Sequence, residues 1–427
     1  MNLQQKVLHK RAKKANSKAT SINDYLNWTS MNYQLFITVI LLSVFGIIMI
    51  YSASYYTCAT SAAYNYDPMN LLKNQSKFVI IGIVVMILLS FINYRVWERF
   101  WILAGIGAIG IILLLKVPGL GVTVKGATRW IKIGSSIQFQ AAEPAKLGLI
   151  IFLSAFMWKF PVNNSKNFLK AIGYVAILSG LVLLISRNMS TAIIIAGMGI
   201  LMIFIAHKDV KIFSGIALSV IILGLLTIAL FYFQGPDVDS TTGGFRGSRI
   251  KAWLFPEEYA ANEAMQAIQS LYAISLGGFF GKGLGNSLQK FRLPEAHNDF
   301  ILAIVSEELG ILGVMLLLLL FAYLLYRIAV IALEATDLFG KLIASGVFLQ
   351  IGIQVILNVA VVSNAMPTTG VTLPFISSGG ASVVFLMAEL GLVFSIDKVT
   401  KEYKIRQKVI RDMKMKENYE QSRNEDT

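Results

Sequence analysis

One cysteine in 427 residues, Cys58, excludes an internal disulfide and a metal site built on several thiolates. Histidine is almost as scarce, and His9, His207 and His297 stand too far apart for a histidine-rich metal centre. Charge is short as well: Asp, Glu, Lys and Arg make up 15% of the chain against 56% hydrophobic residues, where a soluble domain carries about 25% charged residues. A surface so poor in charge faces something other than water. A cleavable signal is not legible either, because roughly thirty mostly polar residues precede the first apolar run.

What the chain does have is long apolar runs. Crossing a hydrocarbon core of about 30 Å takes about 20 apolar residues. The runs predict an all-α polytopic membrane protein of about ten spans, near 33–53, 77–94, 100–116, 143–158, 168–186, 190–206, 212–233, 300–328, 340–362 and 379–396. A basic tail (1–32) precedes this membrane domain (33–396) and another (397–427) follows it.

The net charge of +14 raises nucleic-acid binding as a function, but the placement of the cations argues against it. Lys6, Lys10, Arg11, Lys13, Lys14 and Lys18 crowd one end, and the run from Lys398 to Arg411 follows the last span. Basic flanks of this kind mark cytoplasmic ends lying near anionic membrane lipid. Arg95 and Arg99, Lys159 with Lys166 and Lys170, Lys208 with Lys211, and Arg327 with Lys341 fall in alternate loops on the side of the tails. Both termini are therefore expected in the cytoplasm. The loop at 54–76, a stretch at 117–142, a long segment at 234–299 between the seventh and eighth spans, and a turn at 364–378 are expected outside.

The long outer segment carries most of the polar information. Gly277, Gly278, Gly281, Gly283 and Gly285 permit close backbone approach, either as a phosphate cradle or as a flexible re-entrant loop; no Walker pattern is present. In LPEAHNDF (293–300), Pro294 permits a helix start that would set Glu295 and Asp299 on one face. A carboxylate there is either a general base or an acidic residue favoured at a helix N-terminus. Arg246, Arg249 and Lys251 form a cationic cluster suited to a pyrophosphate, or to interfacial snorkelling. Glu143 and Lys146, one turn apart in the fourth span, read as a structural ion pair or as the lining of a polar cavity. Glu307 and Glu308 are expected to line a cavity or pair with a basic side chain, and Glu389 is a further acid inside the last span, with no partner evident in the sequence.

Taken together, GATRWIKIG (126–134), EPAK (143–146), GKGLGNS (281–287), LPEAHNDFILAIVSEELG (293–310) and MPTTGVTLPFISSGGAS (366–382) resemble the SEDS family (shape, elongation, division and sporulation) of FtsW and RodA proteins, over nearly the whole span from 33 to 396. The resemblance implies a ten-span glycosyltransferase that polymerises peptidoglycan from lipid II at the outer face of a bacterial cytoplasmic membrane, working with a class B penicillin-binding protein. It implies Asp299 as the essential acid and Arg246 and Arg249 as the arginines before the Gln-rich stretch. Glu143 and Lys146 would be its Glu–Lys pair. Substrate contacts are expected from these residues together with Lys251, Glu295, His297, Glu307 and Glu308. A divalent ion such as Mg2+ is compatible with the chemistry, but no ligand spacing marks a site for one. The chain departs from the family pattern at SRNMST (186–191), where Asn188 replaces an acid, and at Ser378, where a tyrosine is usual. Two rival functions remain on sequence grounds: a flippase for lipid-linked sugars, and a scaffold that recruits a penicillin-binding protein without chemistry of its own.

Overall fold

The computed structural model describes residues 32–124, 127–134, 137–207, 210–235, 244–260 and 264–425. The basic residues before position 32 and the side chain of Arg246 lie outside the described residues.

Ten helices match the ten apolar runs: α1 (Tyr33–Thr60), α2 (Asn70–Phe91), α3 (Trp101–Leu113), α4 (Ala142–Lys159), α5 (Ser165–Ile185), α6 (Met189–Ala206), α7 (Val210–Gln234), α10 (Ile301–Glu334), α11 (Leu338–Val362) and α12 (Ala381–Glu425). Seven of the spans are long and apolar enough to cross a bilayer on length and composition alone. Most are greasy on every face, as expected of helices that meet lipid on one side and each other on the other. Four of them start at polar caps that satisfy the first free backbone N–H groups. Asn32 accepts from Leu35 N, Asn164 from Lys166 N and Asp337 from Gly340 N. Asn188, the residue that departs from the family acid, caps α6 by accepting from Thr191 N.

α11 lies at the centre of the bundle, packed on α10, α6, α4 and α12, while α12 runs along α2 and α1 along α10. One end of the bundle gathers the basic loops. Arg95 pairs with Asp337 at 2.8 Å, Lys159 with Glu98 at 3.5 Å and Lys404 with Glu334 at 2.9 Å. The loops that the charge pattern assigns to one side therefore do meet at one end.

The opposite end is more structured than the sequence suggests. Residues expected to form an outer loop at 117–142 instead build a three-stranded antiparallel sheet, β1 (Gly121–Val124), β2 (Ala127–Ile133) and β3 (Ile137–Gln140), in the order β1-β2-β3. The strands are too short to register against the surrounding apolar runs, but β2 alternates as a half-buried strand should. Ala127 and Ile131 are buried on one face and Lys132 is exposed on the other. The long segment after α7 likewise contains two helices, α8 (Gly244–Leu254) and α9 (Met265–Gly277), the second packed against α10.

α10 is broken near its start. Gly310 has φ +66°, a left-handed conformation that glycine adopts without a Cβ penalty. The break lets the backbone of 307–312 exchange hydrogen bonds with 278–283: Lys282 N donates to Glu307 O, Gly283 N to Glu308 O, Ile311 N to Gly278 O and Leu312 N to Phe279 O. The amides of Lys282 and Gly283 are thus spent on α10, and Gly281 N donates to Gly277 O. The glycine-rich run is a latch onto the kink and not a phosphate cradle.

Candidate active site

Asp299 stands at the mouth of the bundle, two residues before α10. The helix begins at Ile301, later than the sequence suggests, and 294–300 form successive turns. Glu295 has φ +58° and accepts from Asn298 Nδ2 at 2.5 Å, so Glu295 and Asp299 do not share a helix face. The expected helix start at Pro294 fails because a chain held in the left-handed region cannot continue a right-handed turn.

A helix and a distant loop fix this segment by its main chain. Asn358 Nδ2, from the buried face of α11, donates to Asp299 O at 2.8 Å and to Val371 O at 2.7 Å. Ser377 Oγ donates to Asn298 O at 2.7 Å, and Ser378 N donates to His297 O at 3.0 Å. The carboxylate of Asp299 meets Gly370, where an added Cβ would stand 3.2 Å from Oδ2. The turn at 364–378 is thus the floor of the site. The same turn collects further donors: Arg249 Nη1 reaches Thr368 O at 3.1 Å, Trp253 Nε1 reaches Asn364 O at 2.9 Å, and Ser190 Oγ donates to Thr369 O.

Of the cationic cluster, Arg249 is therefore brought to the site, only two residues along the floor from Gly370. Lys251 is buried on α8. Arg129 joins from β2, a residue quoted above only within its motif. Burial pushes its guanidinium below the ordinary range, and the nearby Asp299 carboxylate opposes that shift. The alternation of GATRWIKIG was the signal for it: a strand would turn Arg129 to the same face as Ala127 and Ile131.

Glu307 and Glu308 sit deeper, fully buried in the first turns of α10. Glu307 accepts from Lys282 Nζ at 2.8 Å, Ser287 Oγ at 2.5 Å, Leu288 N at 3.0 Å and Gln289 N at 3.0 Å. Glu308 accepts from Ser52 Oγ at 2.6 Å and pairs with Lys290 at 3.8 Å. The expected basic partners are present. Through these bonds Glu307 holds the 281–290 loop, and Glu308 joins that loop to α1.

Glu143 and Lys146 pair at 3.0 Å on α4, with Lys146 only 1% exposed. The partner missing for Glu389 in the sequence is also here: Gln350 Nε2 donates to Glu389 Oε2 at 2.7 Å, and both Lys146 and Glu143 act on Glu389 electrostatically. Glu143, Gln350, Gln354 and Ser377 border a cavity of about 20 Å3 beneath the floor of the site, room for about one water.

A polytopic helical membrane protein with an acid and two arginines converging at one end of the bundle is the class that fold and site define. Residues 32–402 match the FtsW, RodA and SpoVE family of cell cycle proteins. The chain belongs to that family. A probable peptidoglycan glycosyltransferase FtsW of Geobacter sp. (strain M18) is 34% identical over 361 residues, 84% of this chain and 94% of that protein. Stage V sporulation protein E of Bacillus subtilis (strain 168) is 36% identical over 378 residues, 87% of this chain and 98% of its own. Among solved structures, the rod shape determining protein RodA of Thermus thermophilus superposes with a TM-score of 0.58 at 26% identity, over 87% of this chain and 98% of that one. A chain of a peptidoglycan synthase complex shares the fold with a TM-score of 0.70 at 24% identity, covering 87% of this chain and 99% of that one.

Proposed function

We propose that the protein is a peptidoglycan glycosyltransferase that polymerises lipid II, with Asp299 as general base. The observation that carries the reading is the placement of Asp299. Its main chain is bonded to Asn358, its carboxylate lies against Gly370, and Arg249 is anchored two residues away on Thr368. Polymerisation joins an acceptor 4-hydroxyl to an anomeric carbon whose leaving group is a lipid pyrophosphate. An ordinary glycoside needs both an acid and a base, whereas a pyrophosphate departs without protonation if cations take up its charge. One carboxylate and a cationic clamp are then a sufficient set. Inversion at the anomeric carbon follows from a single displacement.

The membrane domain corresponds to 33–396, with both tails in the cytoplasm and the Asp299 end outside. A class B penicillin-binding protein is the expected partner, since the glycan strands made here need crosslinking. The test is polymerisation of labelled lipid II by the purified protein, alone and with its transpeptidase. Glycan strands are expected. Translocation of lipid II across vesicles without polymer in either case would overturn the reading in favour of a flippase.

A further inference from the structure

We infer that Arg129 is a second catalytic cation, which binds the departing pyrophosphate together with Arg249; this rests on the transferase reading above. The motif GATRWIKIG has no part in the mechanism so far, although the fold brings it to the site. On β2 the side chains alternate, and Ala127 and Ile131, which share the Arg129 face, are 6% and 1% exposed. That face is the one turned into the protein. The sheet is anchored at both sides of Arg129. Its carbonyl accepts from Ala141 N at 3.2 Å, at the entry to α4. On β3, Phe139 packs on Phe385 at 5.8 Å, in the first turns of α12. Those turns directly follow Ser377 and Ser378, which hold Asn298 and His297. The sheet therefore packs against the starts of α4 and α12, beside the turn that holds 297–298, and Arg129 lies within electrostatic reach of the Asp299 carboxylate.

The guanidinium is half-buried, and its Nε is a buried donor with no hydrogen-bond partner among the described residues. Arginine offers five N–H donors in a planar fork matched to phosphate oxygens, so a half-buried guanidinium can present the open edge of the fork to a ligand while its enclosed Nε keeps the side chain in place. The reaction supplies one. As the acceptor oxygen bonds to the anomeric carbon, the bond from that carbon to the pyrophosphate oxygen breaks and the electron pair leaves with the pyrophosphate. The hydroxyl proton passes to Asp299. Negative charge thereby moves from the carboxylate to the leaving group, and a fixed cation near both is paired before and after the transfer. Arg249 reaches in from α8 and Arg129 from the sheet, so the two phosphates of a pyrophosphate have two independently held guanidinium groups. A monophosphate can occupy only one.

The test is competition of polyprenyl pyrophosphate and polyprenyl monophosphate against labelled lipid II, on the full-length protein in nanodiscs. The wild type is expected to prefer the pyrophosphate, and Arg129→Ala to reduce that preference roughly tenfold or more, with an unchanged melting temperature. Arg129→Lys is expected to recover only part of it. Should the alanine variant fail to accumulate, Arg129→Gln, which keeps length and hydrogen bonding, carries the same measurement. If the folded variants keep the wild-type ratio of affinities while Asp299→Asn still abolishes polymerisation, Arg129 is no leaving-group ligand and the transferase reading stands. A wild type that neither polymerises nor prefers the pyrophosphate overturns both.

Discussion

Gly370 lies against Asp299 so closely that its missing side chain is part of the site. Its φ is +73°, and a Cβ there would stand 3.2 Å from Asp299 Oδ2. Gly370→Ala therefore carries about 1–2 kcal/mol of left-handed backbone strain and pushes the carboxylate by a few tenths of an ångström. Misplacement near 1 Å costs about 100-fold in rate, so a loss of roughly tenfold in kcat is expected for this smaller shift. Polymerisation kinetics on the folded variant check it. A wild-type rate would show that the carboxylate position is not critical.

Asp299→Asn keeps shape and hydrogen bonding but cannot accept a proton. Loss of a positioned base costs roughly 10²–10⁴-fold, about 3–5 kcal/mol in activation free energy. Folding should survive, because Asn358 holds residue 299 by its carbonyl and not by its side chain. Glu295→Gln is the comparison. Its carboxylate engages Asn298 in the neighbouring turn, so a much smaller effect is expected. Both are read from glycan formation per unit of purified protein.

Glu307→Ala is a stability variant. It strips the acceptor from Lys282, Ser287 and two backbone amides in a fully buried setting. Each buried donor left without its acceptor costs about 1–3 kcal/mol. The expected result is a sharp fall in melting temperature and membrane yield. A stable Glu307→Ala protein with a raised KM for lipid II would return this acid to the substrate.

The buried cluster on α4, α11 and α12 holds two acids and one lysine. Lys146→Met leaves Glu143 and Glu389 without a cation and should destabilise by about 3–5 kcal/mol. Adding Glu389→Gln removes one of the two acids left without a partner and should recover part of the loss, with a coupling that a double-mutant cycle measures. Strict additivity in thermal melts would mean that Glu389 and Lys146 are not energetically linked.

Orientation in the membrane is checked with single cysteines in a Cys58→Ser background. Ala62 and Ser165, the first residue of α5, are exposed at ends of the bundle assigned to opposite sides. Ala62→Cys should react with an impermeant thiol reagent on intact cells, and Ser165→Cys only after lysis. The reverse labelling pattern would turn the protein over.

The ten spans, the end at which the basic loops gather and the family motifs were legible because each depends on neighbours in sequence. An apolar run longer than a bilayer is thick has to be a helix, since only helices and closed barrels satisfy their backbone in lipid. The site was legible only as a set of candidates. Asn358 and Asp299 stand 59 residues apart, and Ser52 and Glu308 stand 256 apart. No local pattern couples them. LPEAHNDF read as a helix start, but the hydrogen bonds of the 371–378 turn and the left-handed Glu295 hold it as turns. The partners of Glu307 and Glu308 were not legible either, because Lys282, Ser287 and Lys290 reach them only through the fold of the 281–290 loop. Arg129 sat in a quoted motif without a role, because whether a strand residue points at a carboxylate 170 positions away is decided by how the sheet packs on the bundle. Composition and periodicity thus determined that the chain is a polytopic membrane bundle. Tertiary packing decided which of its charges meet, because an electrostatic site is defined by distances that the linear order does not contain.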